Sequence, residues 1–208
     1  MIRHLIPSTL LTLAIMLLCG LAYPLAITGV AERLFPTQAH GSLIVKDGAV
    51  IGSAVVGQNF TQPHYIHPRP SATTVPDPND AAKTVAAPYN AAASAATNLA
   101  LSSKSYAQAV AAATEQVKAE NPKAQGPVPN ELVTSSGSGL DPDLSPTGAK
   151  YQAARVAARR HVSVAAVEDL IDGHTKGRLL GIFGMPTVNV LELNLALDAR
   201  WPIAPEGK

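Results

Sequence analysis

The chain has 208 residues, 47% of them hydrophobic and 15% charged, which is enough apolar material for a core in a domain of ordinary length. Lys and Arg number 16 against 15 Asp and Glu, and Arg3 is the one charged residue before position 32, so the remainder is neutral overall. A neutral domain with 4% aromatics offers neither a field for phosphate backbones nor a stacking platform, which argues against nucleic acid as a partner, and the single Cys19 excludes an intramolecular disulfide or a cysteine-rich metal site.

Residues 5–31 contain no charged side chain, 27 in succession where a spanning helix needs about 20. The run outlasts the roughly 7–15 apolar residues of a cleaved leader. Leu18, not a small residue, precedes Cys19, which argues against a lipoprotein signal. The segment reads as a permanent anchor, with Pro24 placed to kink it. The amino terminus and Arg3 flank it on one side. On the other, Glu32 and Arg33 cancel. The positive-inside rule then puts the N-terminus in the cytoplasm and residues 34–208 outside.

In chain order, residues 41–60 read as a hairpin turning at Asp47-Gly48, with Gly52 and Gly57 marking a bulge or a close backbone approach. Five prolines in 61–80 forbid a helix or a central strand and leave an extended loop. Residues 81–113 hold 15 alanines. A helix is predicted from a serine cap at 102 or 103 to about Glu120, stopped by Pro122. Another runs from the Ser145 cap and Pro146 to about Arg160, presenting Gln152, Arg155 and Arg159 on one face. A third spans Ser163 to Asp172, before Gly173. A glycine-rich turn, a strand at 187–190 and a last helical segment through Asp198 follow. The fold class is α+β: 1–31 as cytoplasmic N-terminus and transmembrane helix, then one mixed α/β extracytoplasmic domain over 34–208.

Catalytic signatures are missing from the sequence. There is no phosphate loop and no His-Glu-x-x-His helix. Ser136 displaces the first glycine of a nucleophile elbow at Ser138, and Pro142 displaces the third glycine of a dinucleotide fingerprint. The spacing Asp141, Asp143, Ser145 opens like a calcium loop but reaches Gln152 where that loop wants Glu. His64 and His67 sit three apart with no third ligand nearby, a surface pair rather than a metal site.

The most specific segment is Ser136-Gly137-Ser138-Gly139-Leu140-Asp141-Pro142, a tight loop leading the chain into a helix. It resembles the C subunit of the bacterial potassium-transporting P-type ATPase, the Kdp complex. The likeness extends in order through Gly41-Ser42, Ile51-Gly52-Ser53, Gly57-Gln58, Phe60, Arg69-Pro70-Ser71-Ala72 and Tyr89-Asn90. It continues through Leu144-Ser145-Pro146, Gln152, Arg155-Val156-Ala157, Arg159, His174-Thr175, Val188-Asn189-Val190-Leu191, Leu193-Asn194 and Leu197-Asp198. An alanine-rich stretch at 91–96, interrupted by Ser94, replaces the family's usual Ser/Gly stretch.

That resemblance implies a non-catalytic accessory subunit of an ATP-driven potassium uptake complex in the inner membrane. Its partners are a channel-like subunit, an ATP-hydrolysing subunit and membrane lipid. It binds no cofactor tightly, ATP and potassium being handled by the complex. The family is described as a catalytic chaperone that raises ATP affinity. With residues 34–208 outside, such an influence is indirect. Ser138, Asp141 and Asp143 are candidates for contact with a partner or with cations, although Asp141 also suits a helix cap. Gln152, Arg155 and Arg159 are candidates for carboxylates of this domain or of a partner. The competing reading is an unrelated membrane-anchored enzyme or binding module on the outer face, using Ser138 or the His64/His67 pair.

Overall fold

In the computed structural model, which describes residues 2–203, the apolar run is helical throughout. α1 (Ile2–Leu17) passes through a π turn at Leu18–Ala22 into α2 (Tyr23–Leu34). The widened turn sits just ahead of Pro24, which has no N–H to give the carbonyl four residues back. Tyr23 N–H instead donates to Leu18 O, a five-residue step that resets the ladder around the proline. None of the 32 residues from Arg3 to Leu34 is buried among the described residues. At about 1.5 Å per residue they exceed the ~30 Å of a hydrocarbon layer.

α3 (Pro36–Ala39) leads into β1 (Leu43–Lys46) and β2 (Ala49–Ser53), an antiparallel hairpin. Asp47 and Gly48 take φ of +51° and +79°, the left-handed pair that a two-residue hairpin turn demands. The register skips Ile51, so the predicted bulge lies beside Gly52. The second strand ends at Ser53, well short of residue 60, and the chain divides there into two compact units, between Ser53 and Ala54.

In the C-terminal unit, residues 54–73 run without helix or strand apart from turns and an isolated bridge. β3 (Thr74–Asp77) and β4 (Asp80–Ala86) then pair as a hairpin that the sequence did not disclose. Pro76 fits because each strand of a two-stranded sheet keeps one edge free, and the register shifts directly after it. Residues 82–86 are all exposed, so no alternation of large apolar residues marked the strand.

α4 (Lys104–Glu120) starts and stops as predicted, with Ser103 Oγ accepting from Tyr106 N–H at 3.1 Å and the helix ending before Pro122. There follow β5 (Asp143–Leu144), α5 (Pro146–Tyr151), α6 (Ala153–Arg160), α7 (Val164–Gly173), β6 (Thr175–Lys176), β7 (Thr187–Asn189) and α8 (Val190–Arg200). Ser145, Ser163 and Asn189 cap α5, α7 and α8 through their side-chain oxygens. The sheet order is β5-β7-β6, all antiparallel. Leu144 and Val188 of the sheet, Val156, Val167, Ile171, Leu193 and Leu197 of the helices, and Ile66 of the long loop close one core. The architecture is α+β. The helix expected over 146–160 is broken: Gln152 N–H donates to Ala149 O, a tightened turn that separates α5 from α6.

Candidate functional site

Ile66 is fully buried, yet it belongs to a segment punctuated by Pro63, Pro68 and Pro70 that joins no sheet. Its backbone polar groups therefore need side-chain partners. Five successive carbonyls, residues 63 to 67, receive them. Arg155 Nη1 donates to Pro63 O (2.6 Å) and Tyr65 O (2.9 Å), and Gln152 Nε2 donates to His67 O (3.0 Å). Arg160 Nε donates to His64 O (2.9 Å) and Asn194 Nδ2 to Ile66 O (2.9 Å). Two amide oxygens return the bond: Asn194 Oδ1 accepts from Ile66 N–H and Gln152 Oε1 from His67 N–H, both at 2.9 Å. Arg155 and Gln152 serve the odd carbonyls, while Arg160 and Asn194 serve the even ones.

The same segment continues into the glycine loop. Arg69 Nη1 pairs with Asp141 Oδ2 at 3.0 Å, and Ser71 Oγ donates to Gly139 O at 2.7 Å. Tyr89 hydroxyl donates to Arg69 O at 2.8 Å, and Gly57 N–H donates to Leu140 O at 2.8 Å. Gly57 is buried where a Cβ would strike the Tyr89 ring and lie 2.7 Å from Asp141 O. This is the close backbone approach that its place in the sequence pointed to. Burial, followed by the Asp141 charge, pushes the Tyr89 phenol well above its ordinary value.

The comparisons with known proteins agree. A family model described as "KdpC: K+-transporting ATPase, c chain" matches residues 5–199. The chain belongs to the KdpC family. A potassium-transporting ATPase KdpC subunit from Methylobacterium nodulans is 54% identical over 95% of this chain and 98% of its own length. The Bradyrhizobium diazoefficiens KdpC subunit matches with the same identity and coverage. One from Rhodopseudomonas palustris is 53% identical over 96% and 98%.

In this KdpC-family chain the six candidates separate. Ser138 is exposed, and its hydroxyl accepts from Leu140 N–H at 3.1 Å. Asp141 braces the loop, accepting from Arg69 and, at 3.1 Å, from Asp143 N–H. Asp143 Oδ1 accepts from Asn189 Nδ2 at 3.2 Å, and burial raises its carboxyl above the ordinary range. Gln152 and Arg155 meet directly, Nη2 donating to Oε1 at 2.7 Å. Burial pulls Arg155 down to about 10, still charged at neutral pH. Arg159 is exposed on α6, away from these contacts. Arg160 and Asn194 escaped sequence reasoning. A proline-rich stretch carrying a buried isoleucine was the available signal, since its carbonyls must find donors elsewhere.

A cleft of about 420 Å³ opens beside the segment, lined by His67, Arg69, Tyr89, Gln116, Glu120 and Gln152 among others. Arg69 Nε is buried there without a partner. His67 Nδ1 lies 3.3 Å from Glu120 Oε2, and its Nε2 lies 3.0 Å from Gln62 O. Burial first, then the Arg155 guanidinium, holds His67 below the ordinary imidazole value, outweighing Glu120 and the Gln62 carbonyl. Unfolded chain takes up this proton near pH 6.5 and folded chain only lower. Stability is therefore expected to fall as pH drops below about 6.5 toward the folded value, and His67→Gln to flatten that limb. Urea titrations across this pH range test it, and an unchanged slope in the variant refutes it.

Proposed function

We propose that this chain is the accessory C subunit of an ATP-driven potassium uptake pump. Its helix is anchored in the inner membrane with the N-terminus cytoplasmic, and residues 34–208 face the periplasm. It performs no hydrolysis itself and stabilises an assembly with a channel-like subunit and an ATP-hydrolysing subunit. Its effect on ATP affinity passes through those subunits and involves no contact with nucleotide.

The observation that carries this reading is how the polar residues are used. Gln152, Arg155 and Asp141 hold one proline-rich segment in place, an arrangement suited to a rigid docking body. The identity over almost the full length of pump subunits points the same way. Ser138 and Asp143, at the rim of the glycine loop, remain the candidates for partner or cation contact.

The test is affinity purification of the tagged chain from membranes of potassium-starved cells. Two larger multi-span membrane proteins should co-elute, and ATPase activity should appear with them and not with the isolated chain. Hydrolysis by the chain alone would refute the reading. Topology is read separately in a Cys19→Ala, Ser102→Cys variant. Ser102 is exposed and lies just outside the Ser103 cap, so α4 is left intact. An impermeant thiol reagent should label it in intact cells. Protection that ends on lysis would put this domain on the cytoplasmic side and restore direct contact with ATP.

A further inference from the structure

Residues 174–187 contain no acidic side chain, and their tip is apolar. Leu179, Leu180, Ile182, Phe183 and Met185 are 62–81% exposed. Half of the exposed large apolar side chains described in the C-terminal unit fall within these seven residues. The backbone holds them outward as a closed finger. Leu179 N–H donates to Phe183 O at 2.9 Å, and Phe183 N–H returns the bond to Leu179 O at 3.0 Å. Leu180 and Gly181 form the tip at φ of +53° and +73°, the turn that suits strand twist. Concentrated apolar exposure of this kind marks a surface that is covered in use.

Two observations identify the cover. The first is charge. Lys176 and Arg178 stand at the root of the finger, both exposed, with Lys176 paired to Glu192 at 2.9 Å. An apolar tip above basic residues matches a lipid interface, with carbon chains beneath and anionic headgroups at the rim. The second is tethering. The same chain carries the bare apolar helix Arg3–Leu34. Twenty residues from Leu34 to Ala54 span at most about 70 Å. The C-terminal unit is thereby confined to the neighbourhood of a bilayer, which raises the effective concentration of membrane around the finger. We propose that the finger Leu179–Met185 inserts into the leaflet facing the C-terminal unit and forms a second membrane contact that restrains the domain. The proposal rests on the helix lying in a bilayer.

The test uses the full chain in vesicles of phosphatidylethanolamine with a minority of phosphatidylglycerol. A nitroxide is attached at Ile182→Cys or Ser102→Cys in a Cys19→Ala background, or at native Cys19. Collisions with oxygen report lipid, and collisions with a water-soluble nickel chelate report solvent. Oxygen should dominate at 182 and at Cys19, and nickel at 102. If 182 behaves like 102 while Cys19 reads lipid, the finger proposal fails and the anchor stands. If Cys19 itself reads water, both fail. The measurement is repeated on the assembled pump. A label at 182 shielded from both reagents and cross-linking to another subunit would assign the finger to a protein partner and overturn lipid insertion.

Discussion

Replacing Arg160 by alanine is expected to destabilise the C-terminal unit by about 2–4 kcal/mol, less than breaking a wholly buried pair because Asp198 is 30% exposed. The Arg160 side chain is 0% exposed, and all three of its nitrogens are engaged. Nε donates to His64 O, Nη1 to Trp201 O at 2.8 Å and Nη2 to Asp198 Oδ1 at 2.8 Å. Its loss leaves two carbonyls without this donor and a carboxylate without its cation, while the Tyr65 hydroxyl still donates to Asp198 at 2.8 Å. For a unit of this size the melting temperature should fall by roughly 10 °C, read by circular dichroism on the full chain in detergent. The neighbouring Arg159→Ala is the control. Arg159 is exposed, and its removal should stay within about 0.5 kcal/mol. Arg160→Lys should fall between the two, because one ammonium cannot reach three acceptors in the guanidinium's fixed directions. Equal losses from Arg159→Ala and Arg160→Ala would refute the distinction.

That contrast also shows where the sequence ran out. Spacing along a continuous helix put Gln152, Arg155 and Arg159 on one face. The first two do act together, because three residues is close to one turn and both reach the odd carbonyls of the 63–67 segment. Arg159 does not join them. Arg160 turns inward to the even carbonyls, a requirement set by a segment some ninety residues earlier in the chain. No local pattern on α6 encodes that demand. Caps are the opposite case. Ser103, Ser145 and Ser163 each bond an N–H three residues on, so a few adjacent letters fix them. The turn at Asp47-Gly48 was legible for the same reason. β4 was not, since a strand with exposed faces carries no hydrophobic period. The glycine loop was visible as a motif, but its contacts with Ser71, Arg69 and Gly57 are long-range. The sequence therefore suggested contact residues where the fold uses Asp141 largely as a brace.

The two glycines of that loop should respond in opposite ways to the same substitution. Gly139→Ala is expected to cost about 2–5 kcal/mol, combining an unfavourable backbone region with steric overlap. Its φ is +69°, and a Cβ there would lie 2.6 Å from Ala95 O and 2.9 Å from Thr73 Cγ2. Ala95 is fixed by donating its N–H to Ser138 O at 2.9 Å, and Thr73 by donating its hydroxyl to Ala87 O at 2.6 Å. Neither neighbour yields without breaking a bond of its own. Relief requires moving the loop, which pulls Gly139 O from Ser71 Oγ and draws Leu140 and Asp141 away from Gly57 and Arg69. Gly137→Ala meets open space and needs no left-handed backbone, so it should be neutral or slightly stabilising through the unfolded chain. Urea denaturation of both variants separates the outcomes. If the loop acts as a spring-free brace, Gly139→Ala should also reduce the yield of pump subunits co-eluting with the tagged chain, and Gly137→Ala should not. Matching losses at both positions would mean that flexibility of the whole run matters, and would remove the close approach of 139 to the Thr73 methyl and the Ala95 carbonyl as the reason for its glycine.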